Sequence, residues 1–214
     1  MLLILARHGN TFDAGDKIVW VGARTDLPLT AKGREQAAAL GSALGAIAPS
    51  IKRIVAGPLK RTQEHAAIAA AKIGLDGAVE TDERLREIDY GIWEAKSAAE
   101  IDALGGKAEL AAWNEHGAWP KSPGWSPPEK TIAGNIARLA NELAATLDGD
   151  DAALIVTSNG ILKFFLKLVP GAFEDMAGNG ALKVATGACC ALQCGEKGWR
   201  VIFWNRLPQP SDFA

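Results

Sequence analysis

Arg7, His8, Gly9, Asn10 and Thr11 follow directly on the apolar run Leu2–Ala6. An imidazole fixed at the end of a rigid strand can act as a nucleophile through a ring nitrogen. The arginine beside it offers a planar fork of donors that matches phosphate oxygens. Gly9 lets the backbone turn sharply between them. Taken alone, the pentapeptide is equally compatible with a surface loop that carries an ordinary histidine.

Three further stretches point to the same chemistry. Gly57-Pro58-Leu59-Lys60-Arg61-Thr62 follows the short apolar run Ile54–Ala56 and opens a helical pattern. It supplies a second arginine where the helix dipole also favours anions. Leu85 to Gly91 (LREIDYG) sets carboxylates between apolar anchors. One of them could protonate a leaving oxygen if burial raises its pKa. Thr157-Ser158-Asn159-Gly160 joins the apolar run Ala153–Val156 to a second apolar run, Ile161–Leu168. That is another strand-to-helix corner, yet none of its four side chains titrates near neutral pH.

Alternating patterns must place these corners. Leu2–Ala6, Ile54–Ala56, Val79–Thr81 and Ala153–Val156 read as strands, the first and last apolar throughout as in a doubly covered sheet. Thr30 to about Gly45, Leu59–Ile73 (closed by Gly74) and Thr131–Leu147 read as helices. Ile161–Leu168 reads as a buried helix that Pro170 ends. Gly149, Asp150 and Asp151 make a turn. Ala188–Leu192 and Trp199–Trp204 read as a closing strand pair around Gly195–Gly198. Strands alternating with helices predict an α/β protein with a mostly parallel sheet covered on both faces. The length of 214 residues suits one domain over 1–214. The stretch at about 89–129 is rich in Gly, Pro and Trp and reads as an insertion over the sheet's C-terminal edge, with Trp113, Trp119 and Trp125 as packing anchors.

Bulk properties narrow the partners. A net charge of -2 gives no basic face for nucleic acid or a membrane surface. Leu2–Ala6 lacks a basic lead and a small-residue cleavage pattern, so it reads as a strand rather than a leader. No run approaches the ~20 apolar residues of a membrane span. Cys189, Cys190 and Cys194 are odd in number and crowd one apolar segment, which fits a reducing cytoplasm better than a disulfide framework. With no His or acid at ligand spacing beside them, no metal site and no cofactor are expected.

The four stretches in register resemble the histidine phosphatase superfamily, in its phosphoglycerate mutase-like branch. They read R-H-G-x-T, then Asp26-Leu27-Pro28-Leu29-Thr30 through Gly33, then G-P-L-x-R-T, then Leu85 to Glu94. The resemblance covers nearly the whole chain. It implies a three-layer α/β/α fold around a six-stranded, mostly parallel sheet. It implies His8 as phosphoryl acceptor, Arg7 and Arg61 as phosphate clamps, and Glu87 as proton donor. Asn10, Thr11, Asn159 and Gly160 complete the expected phosphate site, and the expected substrate is a small phosphorylated metabolite. Hydrolysis would run through a phosphohistidine at His8, with no metal. Oligomeric state is left open.

The departures from the pattern bear on function. Where the family places a second histidine, this chain has Asn159, which donates hydrogen bonds but carries neither proton nor charge. Losing a charge-assisted contact of this kind costs roughly 10²–10³ in rate by analogy with an oxyanion-hole donor. A catalytically impaired phosphate-binding protein is therefore one alternative, and a phosphoglycerate mutase is another. Asn159→His should raise the rate if the surrounding pocket is intact. Ala14 stands where the family often has an asparagine, beside Asp13, and Gly124-Trp125-Ser126 replaces a G-E-S stretch. His65 falls where the family usually has a threonine, four residues after Arg61 on the same helix face. It reads as a partly buried histidine satisfied locally, with compensation for Asn159 as the sharper possibility. His116 reads as an exposed loop residue, and Lys60 and Lys163 as solvated lysines near the pocket. Glu94 and Asp89 read as structural.

Overall fold

The structure, a computed structural model, describes residues 1–75 and 77–213. β1 (Leu2–Arg7) leads through a long loop to α1 (Ala31–Leu44). β2 (Ile51–Ala56), α2 (Lys60–Lys72) and β3 (Val79–Thr81) follow. After α3 (Ala98–Ala103), α4 (Lys107–His116) and α5 (Glu129–Thr146) come β4 (Ala152–Thr157), α6 (Asn159–Leu162) and α7 (Ala172–Gly178). The chain closes with β5 (Cys189–Gly195) and β6 (Gly198–Arg206).

The six strands form one sheet in the order β3-β2-β4-β1-β5-β6. The first four are parallel, and β5 and β6 are antiparallel to their neighbours. Alternate residues of β1, β2 and β4 face opposite cores. Leu3, Leu5, Val55, Ala153 and Ile155 pack against α5, α6 and the insertion. Ile4, Ala6, Ile54, Ala56, Leu154 and Val156 pack against Leu40 and Leu44 of α1 and Ala66, Ala69 and Ala70 of α2. This is the three-layer α/β/α architecture, and it explains why β1 and β4 read as unbroken apolar runs. No helix among the described residues is long and apolar enough to cross a membrane.

Several elements differ from the sequence reading. β2 starts at Ile51 and α5 at Glu129, each a little earlier than expected. The buried helix expected over Ile161–Leu168 begins at Asn159 and tightens into a 3₁₀ helix at Lys163–Leu168. The closing hairpin turns on Glu196 and Lys197 alone, since Gly195 pairs with Gly198. The stretch at 89–129 holds two helices, α3 and α4, that its Gly, Pro and Trp content concealed. Its ends meet: Asp89 and Ser126 exchange backbone hydrogen bonds at 2.9 and 3.1 Å. Trp113 and Trp125 are buried there, with ring centroids 4.9 Å apart and nearly perpendicular planes.

Candidate active site

Parallel pairing brings three corners to one edge. Arg7 pairs with Thr157, and Ala56 with Val156, so the C-terminal ends of β1, β2 and β4 lie level. Open α/β sheets bind ligands at such an edge. A cavity of about 560 Å³ opens there, lined in part by Arg7, His8, Asn10, Thr11, Arg61, Glu87 and Asn159. Of the expected site residues only Gly160 is not on its wall.

The nucleophile turn is held from beneath. A Cβ at Gly9 would strike the backbone of Gly33 in the first turn of α1, and one at Gly33 would strike Asn10. Only glycine permits this approach, which is why the glycines of R-H-G and T-x-x-G belong together. Thr30 caps α1 by accepting from the Gly33 N–H and also donates to the Asn10 carbonyl. The Gly9 N–H donates to Nδ1 of His65 at 3.1 Å. His65 is wholly buried rather than partly, and its partner lies 56 residues away rather than on its own helix. It does not line the cavity, so it offers no replacement for an imidazole at Asn159.

His8 is buried, and its Nδ1 lies 2.8 Å from the Gly9 carbonyl. A carbonyl only accepts, so the proton sits on Nδ1 and the Nε2 lone pair is free. Burial, then the charges of Arg61 and Arg7, hold the His8 pKa well below the usual imidazole value. The ring is neutral and nucleophilic at neutral pH.

Arg61 is buried and donates to the carbonyls of Thr25 (2.8 Å) and Gly22 (3.1 Å). Arg7 donates to the Val184 carbonyl at 2.6 Å. Neither guanidinium forms an ion pair with a carboxylate among the described residues. Burial lowers both pKa values, opposed first by the charge of Glu87. Uncompensated buried cations are costly unless a ligand anion meets them.

Glu87 is buried and accepts from the N–H of Ile88 (2.9 Å) and of Gly160 (3.2 Å). The Tyr90 hydroxyl is directed at the same carboxyl. Burial keeps the carboxyl above the ordinary range, offset in part by those two N–H groups and by Arg61 and Arg7. The Gly160 N–H, expected to face phosphate, instead holds this carboxyl. A side chain at Gly160 would run into Glu87 and come within 2.7 Å of the Tyr90 hydroxyl.

Asn159 opens α6, and its Oδ1 accepts from the Val184 N–H at 2.9 Å. An N–H only donates, so this contact fixes the amide and leaves Nδ2 as the free donor on the cavity side. One residue, Val184, therefore orients Asn159 through its N–H and Arg7 through its carbonyl. Asn10 accepts from the Thr186 hydroxyl at 2.6 Å on the same loop.

Lys163 departs from the expectation of a solvated lysine. It is 2% exposed, and its Nζ lies 3.5 Å from the centroid of the Trp113 ring on the cavity wall. Burial lowers its pKa to about 8. Lys60 is exposed, as expected. His116 is exposed but ends α4 rather than lying in a loop. Glu94 accepts from the Gly22 N–H (3.0 Å) and the Thr25 hydroxyl (2.8 Å), so it braces the carbonyl segment that holds Arg61. Sequence reasoning missed the Val184–Thr186 loop and two residues of the cavity wall, Trp20 and Tyr90, whose ring centroids lie 4.8 Å apart. Only Tyr90 carried a signal, inside the LREIDYG stretch.

Comparison with known proteins agrees with this geometry. The family model of the histidine phosphatase superfamily (branch 1) matches residues 3–207. Glucosyl-3-phosphoglycerate phosphatase of Mycobacterium tuberculosis is 31% identical, with 98% of this chain and 96% of the relative covered. Probable phosphoglycerate mutase GpmB of Salmonella choleraesuis is 37% identical, but over 47% of this chain and 42% of the relative. Among solved structures, native mycobacterial glucosyl-3-phosphoglycerate phosphatase superposes with a TM-score of 0.77 at 28% identity, covering 95% of this chain and 98% of the other.

Proposed function

We infer from membership of the histidine phosphatase superfamily (branch 1), to which the chain belongs, that this phosphatase hydrolyses a small phosphomonoester through a phosphohistidine on His8. The observation that carries the reading is the His8–Gly9 contact, which holds a neutral ring with its Nε2 lone pair free. Nε2 attacks phosphorus as the ester P–O bond breaks, and Glu87 gives its proton to the leaving oxygen. Water then attacks the phosphohistidine, losing a proton to the Glu87 carboxylate, and phosphate leaves as Nε2 is released. Arg7, Arg61 and the Asn159 amide hold the phosphoryl oxygens, with Asn10 and Thr11 at the rim. Most of the catalytic effect is positioning and charge stabilisation.

Asn159 supplies this site with a donor but no charge, and the Arg7 and Arg61 guanidiniums carry the positive potential. The insertion at about 89–129 forms the wall that meets the leaving group within a single domain. Three free thiols accord with a reducing, cytoplasmic setting.

The experiment is incubation with a ³²P-labelled phosphomonoester panel that includes glucosyl-3-phosphoglycerate. Acid-labile label on His8, phosphate release, and loss of both in His8→Ala are expected. Tight binding of the esters without label or release would replace the enzyme with a phosphate-ligand binder.

A further inference from the structure

Phosphoryl transfer leaves Lys163 unexplained. Its side chain is buried on the cavity wall, and among the described residues it has neither an ion pair nor a hydrogen-bond partner. One side of the ammonium is covered by the Trp113 ring, and the other faces the cavity. Lys163 lies one helical turn beyond Asn159, a separation of about 6 Å between side-chain origins.

Its place relative to the other charges is informative. Arg61 and Arg7 both act on His8, as expected of groups gathered round one phosphoryl site. Lys163 is stacked instead on Trp113 of the insertion, on the cavity wall assigned above to the leaving group. The charges make the same point. In the state that starts the proposed reaction, with the proton on Glu87 and His8 neutral, a phosphomonoester dianion is matched by Arg7 and Arg61. The Lys163 cation is then left over in a buried site, which is unfavourable unless the substrate supplies one more negative charge.

We propose that the substrate carries a second anionic group of single charge close to its phosphate ester, a carboxylate in the simplest case, and that Lys163 is the specificity-determining residue that receives it. This rests on the phosphatase reading above. Trp113 positions the ammonium, and the insertion thereby takes part in substrate choice.

Two matched pairs of esters test this: 3-phosphoglycerate against glycerol 3-phosphate, and phosphoglycolate against ethyl phosphate. The expected result is a kcat/KM ratio of about tenfold or more in favour of the carboxylated member of at least one pair. In Lys163→Met the ratio falls to near one, and in Lys163→Arg, which keeps the charge, it is partly retained. Ratios near one in the wild type overturn the proposal, and that result needs no variant to fold. An equal loss on both members of a pair in Lys163→Met also overturns it, because Lys163 would then serve the phosphoryl group or the fold. If none of the four esters is hydrolysed, the phosphatase reading is decided separately by the labelled panel above. Dissociation constants for the same pairs, measured by calorimetry, then decide the role of Lys163 by the same ratios.

Discussion

Gly9 and His65 are joined by a buried hydrogen bond of 3.1 Å from the backbone N–H of one to Nδ1 of the other. The contact ties the turn that bears His8 to the helix that bears Arg61. It needs a neutral His65, and burial holds the His65 pKa down at about 4.

Acid stability should report that contact. An unfolded His65 takes up its proton near pH 6.5, and the folded one only near 4. Stability is therefore complete above pH 6.5 and falls as pH drops toward 4. The contribution lost between pH 7 and 4.5 is about 2 kcal/mol. Urea unfolding of the wild type and His65→Thr at both pH values measures it. Equal losses in the two proteins would mean that His65 is not a buried neutral acceptor.

The catalytic pH profile should be bounded from both sides. His8 must be neutral, so activity falls as pH drops through its depressed pKa, and the acid limb lies well below 6.5. Glu87 must be protonated, so activity falls as pH rises through its elevated pKa. Glu87→Gln should lose the alkaline limb together with roughly 10²–10³ of kcat on alkyl esters. A retained alkaline limb in that variant would assign it to another group.

Gly160→Ala should damage the acid without touching the nucleophile. The added methyl would displace Glu87 and crowd Tyr90. A fall in kcat of roughly 10²-fold is expected on an alkyl phosphate. The fall should be much smaller on 4-nitrophenyl phosphate, whose leaving group needs little protonation. Equal falls on both substrates would place the damage in the phosphoryl site instead.

Substitutions at Asn159 separate its two functions. Asn159→Asp keeps an acceptor for the Val184 N–H but removes the donor and adds charge, so a loss of roughly 10²–10³ in kcat/KM is expected. Asn159→His can serve Val184 only with a neutral ring nitrogen. It therefore restores a donor but little charge, and its rate should stay within about tenfold of the wild type. A hundredfold gain would show that the Val184 contact is absent from the working site.

Much of this was legible in the sequence, for reasons tied to particular residues. β1 and β4 announce themselves as apolar runs because both faces of the sheet are covered. Arg7, His8 and Arg61 stand out because each adjoins a strand end or helix start, and Glu87 because it sits between apolar anchors. What escaped were relations rather than residues. Lys163 reads as a surface cation, since nothing local records that Trp113, 50 positions earlier, will cover it. His65 reads as satisfied locally, although its partner comes from the turn just past the C-terminal end of β1, 56 residues earlier. Val184 has no reactive side chain at all, and its role lies in its backbone N–H and carbonyl. α3 and α4 were hidden because capping by Ser97 and Gly106 sits among residues that otherwise signal loop.

The approach of Gly9 to Gly33 has a mechanical consequence. With backbone on backbone and no side chain between, the nucleophile turn cannot shift independently of the first turn of α1. Alignment of His8 is thus inherited from the α1–α2 layer, far larger than the cavity. A disturbance that loosens that layer from the sheet should silence the enzyme while leaving every group in the pocket chemically intact.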